Sequence, residues 1–389
     1  MVTRALQPKL EQAAQQLPII TLIGPRQSGK TTLAKHLFAN YTYINLELPD
    51  HRYFASLDPK GFFQRYKKGL ILDEVQRLPA IFSYIQSMVD EQLQNGQFVL
   101  TGSIHPSLMQ KISQSLAGRT RIFTLLPLSL AELQATPYRQ EKYLPYLLKG
   151  FYPRLYGHGL TPSDWLPSYI QTYVERDVRQ MTNVRNLSVF QNFIKLCAGH
   201  AGQLINYTAF SNALGVHETT IKEWFSMLEA SYIAFTLKPY YNNFNKRLVK
   251  TPKLYFYDTG LACVLLGITN LQQLQFHTSL GPLFENFVIV ELLKMQFNQG
   301  LVPNIYFWRE SSGTEVDCLL EHNGQVIPIE IKSTQTLTSF ATKNFKRLQK
   351  VMGARLSRPY IVYGGEQSFT QGEVQVTSWK DLNTLMAVQ

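Results

Sequence analysis

The stretch GPRQSGKTT, Gly24 to Thr32, follows the apolar run LPIITLI and precedes a helical pattern. Few short sequences restrict a fold as tightly. Gly24 and Gly29 let the backbone curl through conformations that side chains disfavour, so successive amide N–H groups can point inward at an anion. The start of the helix adds its positive end. The spacing Gly24-x4-Gly29-Lys30-Thr31 between strand and helix is that of a phosphate-binding loop. Pro25, Arg26, Gln27 and Ser28 form the curl, Lys30 would reach the outer phosphates, Thr31 would bind magnesium, and Thr32 completes the nucleotide-contacting set.

Such a loop needs a parallel sheet behind it, and the next hundred residues supply the pattern. Residues Gly29 to Asn40 read as a helix. Tyr43, Ile44 and Leu46 lie in a short strand, GLILDE and QFVLTGS are buried strands, and RIFTLLP is another. Strands that are apolar throughout, with helical stretches between them, predict a parallel sheet covered on both faces. LILDE places Asp73 and Glu74 at a strand end, Asp73 to hold the magnesium through water and Glu74 to orient or deprotonate the attacking water. Thr101 and Ser103 stand at the tip of the next strand, where one of them would contact the γ-phosphate or the water.

GPRQSGKTTL, LILDEVQ, LTGS and SLAGR, in this order, resemble the AAA-superfamily ATPases of bacteria and archaea that carry a C-terminal restriction-endonuclease-like domain. The similarity runs over essentially the whole chain. It implies that Lys30 and Thr31 are the Walker A pair, Asp73 and Glu74 the Walker B pair, and Ser103 the sensor. It places Arg119, with Arg121 as the alternative, where such ATPases carry an arginine finger. A finger that reads a neighbour's nucleotide implies a homo-oligomer. ATP and Mg2+ are the expected cofactors.

The expected fold class is a multidomain α/β chain. A P-loop NTPase parallel sheet fills residues 1–135, a helical, lid-like and winged-helix middle residues 136–280, and an α/β restriction-endonuclease-like domain residues 281–389. A length of 389 residues allows two to four such units. In the middle segment, Glu175, Arg176, Asp177 and Arg179 read as the polar side of a helix, solvated or lid-facing. NYTAFSNALG, stopped by Gly215, and HETTIKEWFSMLEA, with Ile221, Phe225 and Leu228 at core spacing, follow helix–turn–helix grammar. His217, Thr219, Thr220 and Lys222 would form its nucleic-acid face. YYNNFNKRLVKTPK adds Lys246, Arg247, Lys250 and Lys253 between aromatics, cations suited to phosphate contacts. Glu218 and Glu223 count against a strongly DNA-facing helix.

Charge placement agrees with a polyanionic partner of the first two segments. Residues 1–135 carry 14 basic against 9 acidic groups, residues 136–280 carry 14 against 8, and residues 281–389 carry 10 against 10. In the last segment, TEVDCLLE and QVIPIEIKS flank Asn323-Gly324, a strong hairpin signal. Alternation puts Glu330 and Lys332 on one strand face, with Glu315 sharing the face of Asp317. By the resemblance, Asp317 and Glu330 would share magnesium, Lys332 would orient the water or stabilise the phosphate, and Glu285 would add a helix-borne acid. The zero net charge of this segment favours the alternative of an inactive nuclease core that binds a partner.

No apolar run approaches the ~20 residues of a spanning helix. The N-terminus lacks an apolar signal core, and the three scattered cysteines, Cys197, Cys263 and Cys318, fit free thiols. A cytoplasmic, Mg2+-dependent ATPase associated with DNA and with no membrane partner is the expectation, and a nucleotide-switched scaffold the alternative.

Overall fold

The computed structural model describes all residues except 1, 67–68, 93, 104–111, 113, 175–185, 241–249, 338–341 and 387–389. Its first unit is a five-stranded, wholly parallel sheet of order β2-β3-β4-β1-β5. The strands are β1 (Ile19–Ile23), β2 (Thr42–Asn45), β3 (Leu70–Asp73), β4 (Phe98–Gly102) and β5 (Thr120–Thr124). β1, β3 and β4 are buried at every position. Their alternate residues feed two separate cores. Ile20, Leu22, Ile71 and Val99 pack with Leu6, Leu10 and Leu33 on one face, where α1 (Gln7–Gln16) and α2 (Lys30–Leu37) lie. Ile19, Leu70, Leu72 and Leu100 pack with Phe82, Ile85 and Val89 of α3 (Ile81–Glu91) on the other. A strand buried on both faces has no polar side to alternate with, which is why these segments read as unbroken apolar runs.

The middle is mostly helical. It includes α5 (Tyr143–Lys149) and α6 (Arg154–Gly157), which follow the short α4 (Leu130–Gln134). α7 (Tyr207–Leu214) ends on Gly215 at φ 65° and leads through a short turn into α8 (Glu218–Ala230). Ile221, Phe225 and Leu228 are buried, as their spacing predicts. The two-stranded antiparallel pair β6 (Ala234–Leu237) and β7 (Lys253–Phe256) follows. Lys246 and Arg247, like Glu175, Arg176, Asp177 and Arg179, lie outside the described residues; Lys250 is exposed.

The last unit is a six-stranded mixed sheet of order β12-β13-β11-β10-β9-β8. β9 (Glu315–His322) and β10 (Gln325–Lys332) form the expected hairpin. Asn323 at φ 50° and Gly324 at φ 78° make its turn, a conformation both residue types accept. β8 (Ile305–Arg309) flanks β9, and β11 (Tyr360–Tyr363), parallel to β10, leads to β13 (Val374–Ser378) and the edge strand β12 (Phe369–Gln371). The long helix α9 (Leu280–Asn298) covers one face; α10 (Thr342–Met352) covers the other through Phe345 and Leu348. One continuous core joins Phe284, Phe287 and Leu292 of α9 to Tyr146, Phe193 and Tyr255 of the middle. No helix among the described residues is long and apolar enough to cross a membrane.

Candidate nucleotide site and acidic cluster

The phosphate-binding loop leaves the C-terminal end of β1. Gly24 has φ 146°, and a Cβ there would lie 2.3 Å from the Leu125 carbonyl oxygen, so no side chain fits. Gln27 at φ 64° and Gly29 at φ 96° continue the curl. Lys30 opens α2 at 6% exposure, its Nζ donating to the carbonyls of Gly24 at 3.1 Å and Pro25 at 2.7 Å. Burial lowers its pKa to about 8, against the opposing pull of Glu74 and Asp73. Ser28 Oγ is buried with no hydrogen-bond partner.

Asp73, at the end of β3, is held from four directions. Thr31 Oγ1 and the Tyr43 hydroxyl each donate to Oδ2 at 2.8 Å. Thr101 Oγ1 donates to Oδ1, as does the backbone N–H of Glu74 at 3.1 Å. Burial, then the Asp73 charge, holds the Tyr43 hydroxyl well above its ordinary pKa, so it remains a donor. Glu74 occupies the left-handed region at φ 56°, uncommon for a residue with a side chain, and accepts from Gln76 Nε2. Ser103 follows β4, its Oγ buried without a partner. The loop lysine, the threonine beside an aspartate and the neighbouring glutamate thus converge at the C-terminal ends of β1 and β3. These side chains suit a metal-bound polyphosphate: a buried cation for the anion, and a hydroxyl–carboxylate pair for the metal.

A cavity of about 1000 Å3 opens over Gly29, Lys30, Thr31 and Glu74. Its opposite wall comes from the middle segment: Thr136, Pro137, Tyr138, Arg154, Tyr156 and His158. The sequence pointed to a lid-like middle but not to these residues. Tyr43 was also missed as a site residue, since a tyrosine in a short strand carries no motif.

Arg119 stands at the other end of the sheet. β1 and β5 are parallel and in register from Ile19 with Thr120 to Ile23 with Thr124, and Ile19 N–H donates to the Arg119 carbonyl at 3.2 Å. The five residues of β1, roughly 16 Å of extended chain, separate it from the loop. Its guanidinium pairs with Asp90 at 2.5 and 2.8 Å. Arg121 donates to the Gly300 carbonyl at 3.3 Å, after the end of α9.

In the last unit Asp317, Glu330, Lys332 and Glu285 do meet. Lys332 Nζ lies 2.9 Å from Glu330 and 3.7 Å from Asp317, and Asp317 Oδ2 accepts the Ile331 N–H at 2.8 Å. Glu330 also accepts from Asn344 at 3.2 Å. The surprise is Lys253. Its sequence context suggested an exposed phosphate contact, yet it is 3% exposed and sits between Glu285, at 3.1 Å, and Glu315. It opens β7, a four-residue strand buried at every position, and the carboxylates compensate its desolvation. Burial opposes its charge, but Glu285, Glu315 and Asp317 together hold its pKa above the ordinary lysine value. Tyr255 donates to Glu285 at 2.5 Å. Burial, then the charge of Asp317, raises the carboxyls of Glu285 and Glu330. Every carboxylate of the cluster is thus engaged by a protein cation or donor. Among the described residues no three His, Cys, Asp or Glu side chains are placed to hold a metal ion, and magnesium at Asp317 and Glu330 would have to displace their contacts with Lys332.

Residues 16–134 match the family model of an AAA domain, residues 140–272 a domain of unknown function (DUF8612), and residues 280–382 a second domain of unknown function (DUF4143). The chain is 29% identical over 371 residues to Uncharacterized protein Rv2008c of Mycobacterium tuberculosis and, equally, to Uncharacterized protein Mb2031c of Mycobacterium bovis, covering 95% of this chain and 81% of each relative. Among solved structures, it is similar to the Walker-type ATPase paby2304 of Pyrococcus abyssi, with a TM-score of 0.41 and 15% identity over 67% of this chain and 94% of that one. It is also similar to a single-substitution variant of RuvB from Thermotoga maritima, with a TM-score of 0.32 and 17% identity over 59% of this chain and 88% of that one. By the family model, the first unit holds an AAA domain, and a helical middle and a mixed C-terminal sheet follow it.

Proposed function

We propose that the protein binds ATP with magnesium and hydrolyses it in the cavity between the first unit and the middle segment. One observation carries this reading: Lys30, Thr31, Asp73 and Glu74 come together beside a cavity large enough for a nucleoside triphosphate. Magnesium would be held by Thr31 and, through water, by Asp73, and would supply charge neutralisation at the phosphates. Lys30 would bind the outer phosphates, Glu74 would take the proton of the attacking water, and Ser103 would sense the terminal phosphate. Tyr138, Arg154 and His158 would make the middle segment a lid. Arg119, far from its own loop, would act only across an interface, after exchanging Asp90 for a neighbour's nucleotide. The test is Mg2+-dependent release of phosphate from ATP, compared with Glu74→Gln.

DNA is the proposed partner of the middle segment, through Thr219, Thr220 and Lys222 at the start of α8 and through Lys246, Arg247 and Lys250. The exposed end of a second helix after a glycine turn supports this. The last unit, in the same proposal, is restriction-endonuclease-like, with Asp317, Glu330 and Lys332 as its cutting group and Glu285 as an added acid.

A second reading has a specific observation behind it. Lys253, from the middle, fills the acidic cluster, so the cluster works as an ionic tie between two units. That contact supports the alternative of a nucleotide-switched scaffold with an inactive nuclease core. Plasmid and branched-DNA cleavage in magnesium and manganese decides between them. Cutting that Asp317→Ala abolishes supports the nuclease. No cutting, with ATP hydrolysis indifferent to DNA, supports the scaffold.

A further inference from the structure

Arg4 precedes α1 and lies outside the segment that matches the AAA domain model. No motif singles it out, yet its side chain is 5% exposed and its guanidinium makes hydrogen bonds to three residues. Nη1 donates to the carbonyl of Ser28 at 2.8 Å, inside the phosphate-binding loop. Nη2 donates to the carbonyl of Leu126 at 2.7 Å, just past β5. Nε donates to Glu132 at 3.0 Å, and the same carboxylate oxygen accepts the Ala5 N–H at 2.7 Å. Arg4 also lines the cavity, with Nη1 3.6 Å from where a Gly29 Cβ would stand.

We propose that Arg4 is a positioning residue for nucleotide binding: it fixes the plane of the Ser28–Gly29 peptide and thereby the direction of the Gly29 N–H. The proposal rests on the ATP reading of the loop. Its physical basis is the rigidity of the peptide group, because a held carbonyl oxygen dictates where the N–H across the bond points. The loop needs such help. Gly24 and Gly29 permit many conformations, and Ser28 lends no bond from its own buried hydroxyl. A planar fork that grips two carbonyls at once orders the loop before the ligand arrives, which lowers the cost of binding. Glu132 neutralises the arginine, so Arg4 acts through geometry rather than as extra charge for the phosphates.

The experiment measures ADP affinity by calorimetry, and thermal melting without nucleotide, for wild type, Arg4→Lys and Glu132→Gln. A lysine keeps the charge and can keep the ion pair, but one ammonium cannot grip both carbonyls in fixed geometry. Arg4→Lys is expected to weaken ADP about tenfold, the scale of losing a charge-assisted hydrogen bond. Glu132→Gln leaves both carbonyl contacts and is expected to weaken ADP distinctly less, even where it lowers the melting temperature as much. Should Arg4→Lys not fold, Arg4→Met/Glu132→Met removes the buried pair together, a replacement that proteins often tolerate, and the same affinity loss is expected. Wild-type affinity in the arginine variant, or an equal loss in Glu132→Gln, overturns the proposal. A wild type that binds no ADP overturns the ATP reading itself, and the proposal with it.

Discussion

Lys30 is buried, and its ammonium donates to the loop's own carbonyls. Replacing it with alanine removes the cation that faces the phosphates and should weaken ATP binding by roughly 10- to 100-fold, the range of a charge-assisted bond. The lowered pKa of about 8 adds a pH signature. Bound phosphate favours the charged lysine, so binding draws in a proton when the free enzyme has lost it. Affinity should be level below about pH 8 and fall as pH rises above it, by at most about tenfold per unit. A fluorescent ADP analogue titrated from pH 7 to 9.5 checks this, and Lys30→Arg should push the decline out of range. At the other end of the molecule, Glu285 and Glu330 hold their protons up to about pH 7, against about 4.5 in the unfolded chain. Between those values the folded state binds more protons. Stability should therefore fall as pH rises through that window and level off above it. Melting temperatures from pH 5.5 to 8 test the sign, and Glu330→Gln should flatten the slope.

Elements, more than residues, decided how much was legible in advance. The buried strands of the first unit and the Asn323-Gly324 hairpin declare themselves locally, one by unbroken apolar runs, the other by residues suited to positive φ. Lys30, Thr31, Asp73 and Glu74 were readable because strand ends fix where they point. β12 and β13 went unread, since strands of three and five residues leave little periodicity. Lys253 was misplaced because its neighbours in sequence are basic while its partners in space come from α9 and β9. Arg4 was invisible for the same reason, although Ser129 and Glu132, which form a capping box at α4, carried a local signal for one of its partners. Two predictions belong to this scale. Alanine at Lys246, Arg247 and Lys250 should weaken binding to any duplex and flatten its salt dependence, about one counterion being released per phosphate contact. Unchanged slopes would move the DNA surface elsewhere. For the edge of β5, mixing inactive Arg119→Ala with inactive Glu74→Gln should restore part of the turnover, because some interfaces then hold both intact groups. No recovery in a mixture shown to be oligomeric would remove Arg119 from the active site.

In the whole molecule the three units are joined by polar contacts as well as by a shared core. Glu291 of α9 accepts the Leu130 N–H at 2.7 Å, and Lys294 donates to the Leu128 carbonyl at 2.8 Å. These bonds tie the last unit to the segment that Arg4 braces against the phosphate-binding loop. Lys253 ties the middle to the acidic cluster from the other side. Removing that one lysine strands the carboxylates it separates, so Lys253→Ala should destabilise by about 3–5 kcal/mol, the cost of breaking a buried pair, read from denaturant unfolding. The central claim is that this assembly turns over ATP at the loop of Gly24 to Thr32. Steady-state phosphate release, with and without magnesium, for wild type and Glu74→Gln tests it most directly. The account predicts turnover that requires magnesium and falls by about 10²–10⁴-fold in Glu74→Gln while that variant still binds ATP. Equal turnover by the two proteins, or none by the wild type with and without DNA, would contradict it.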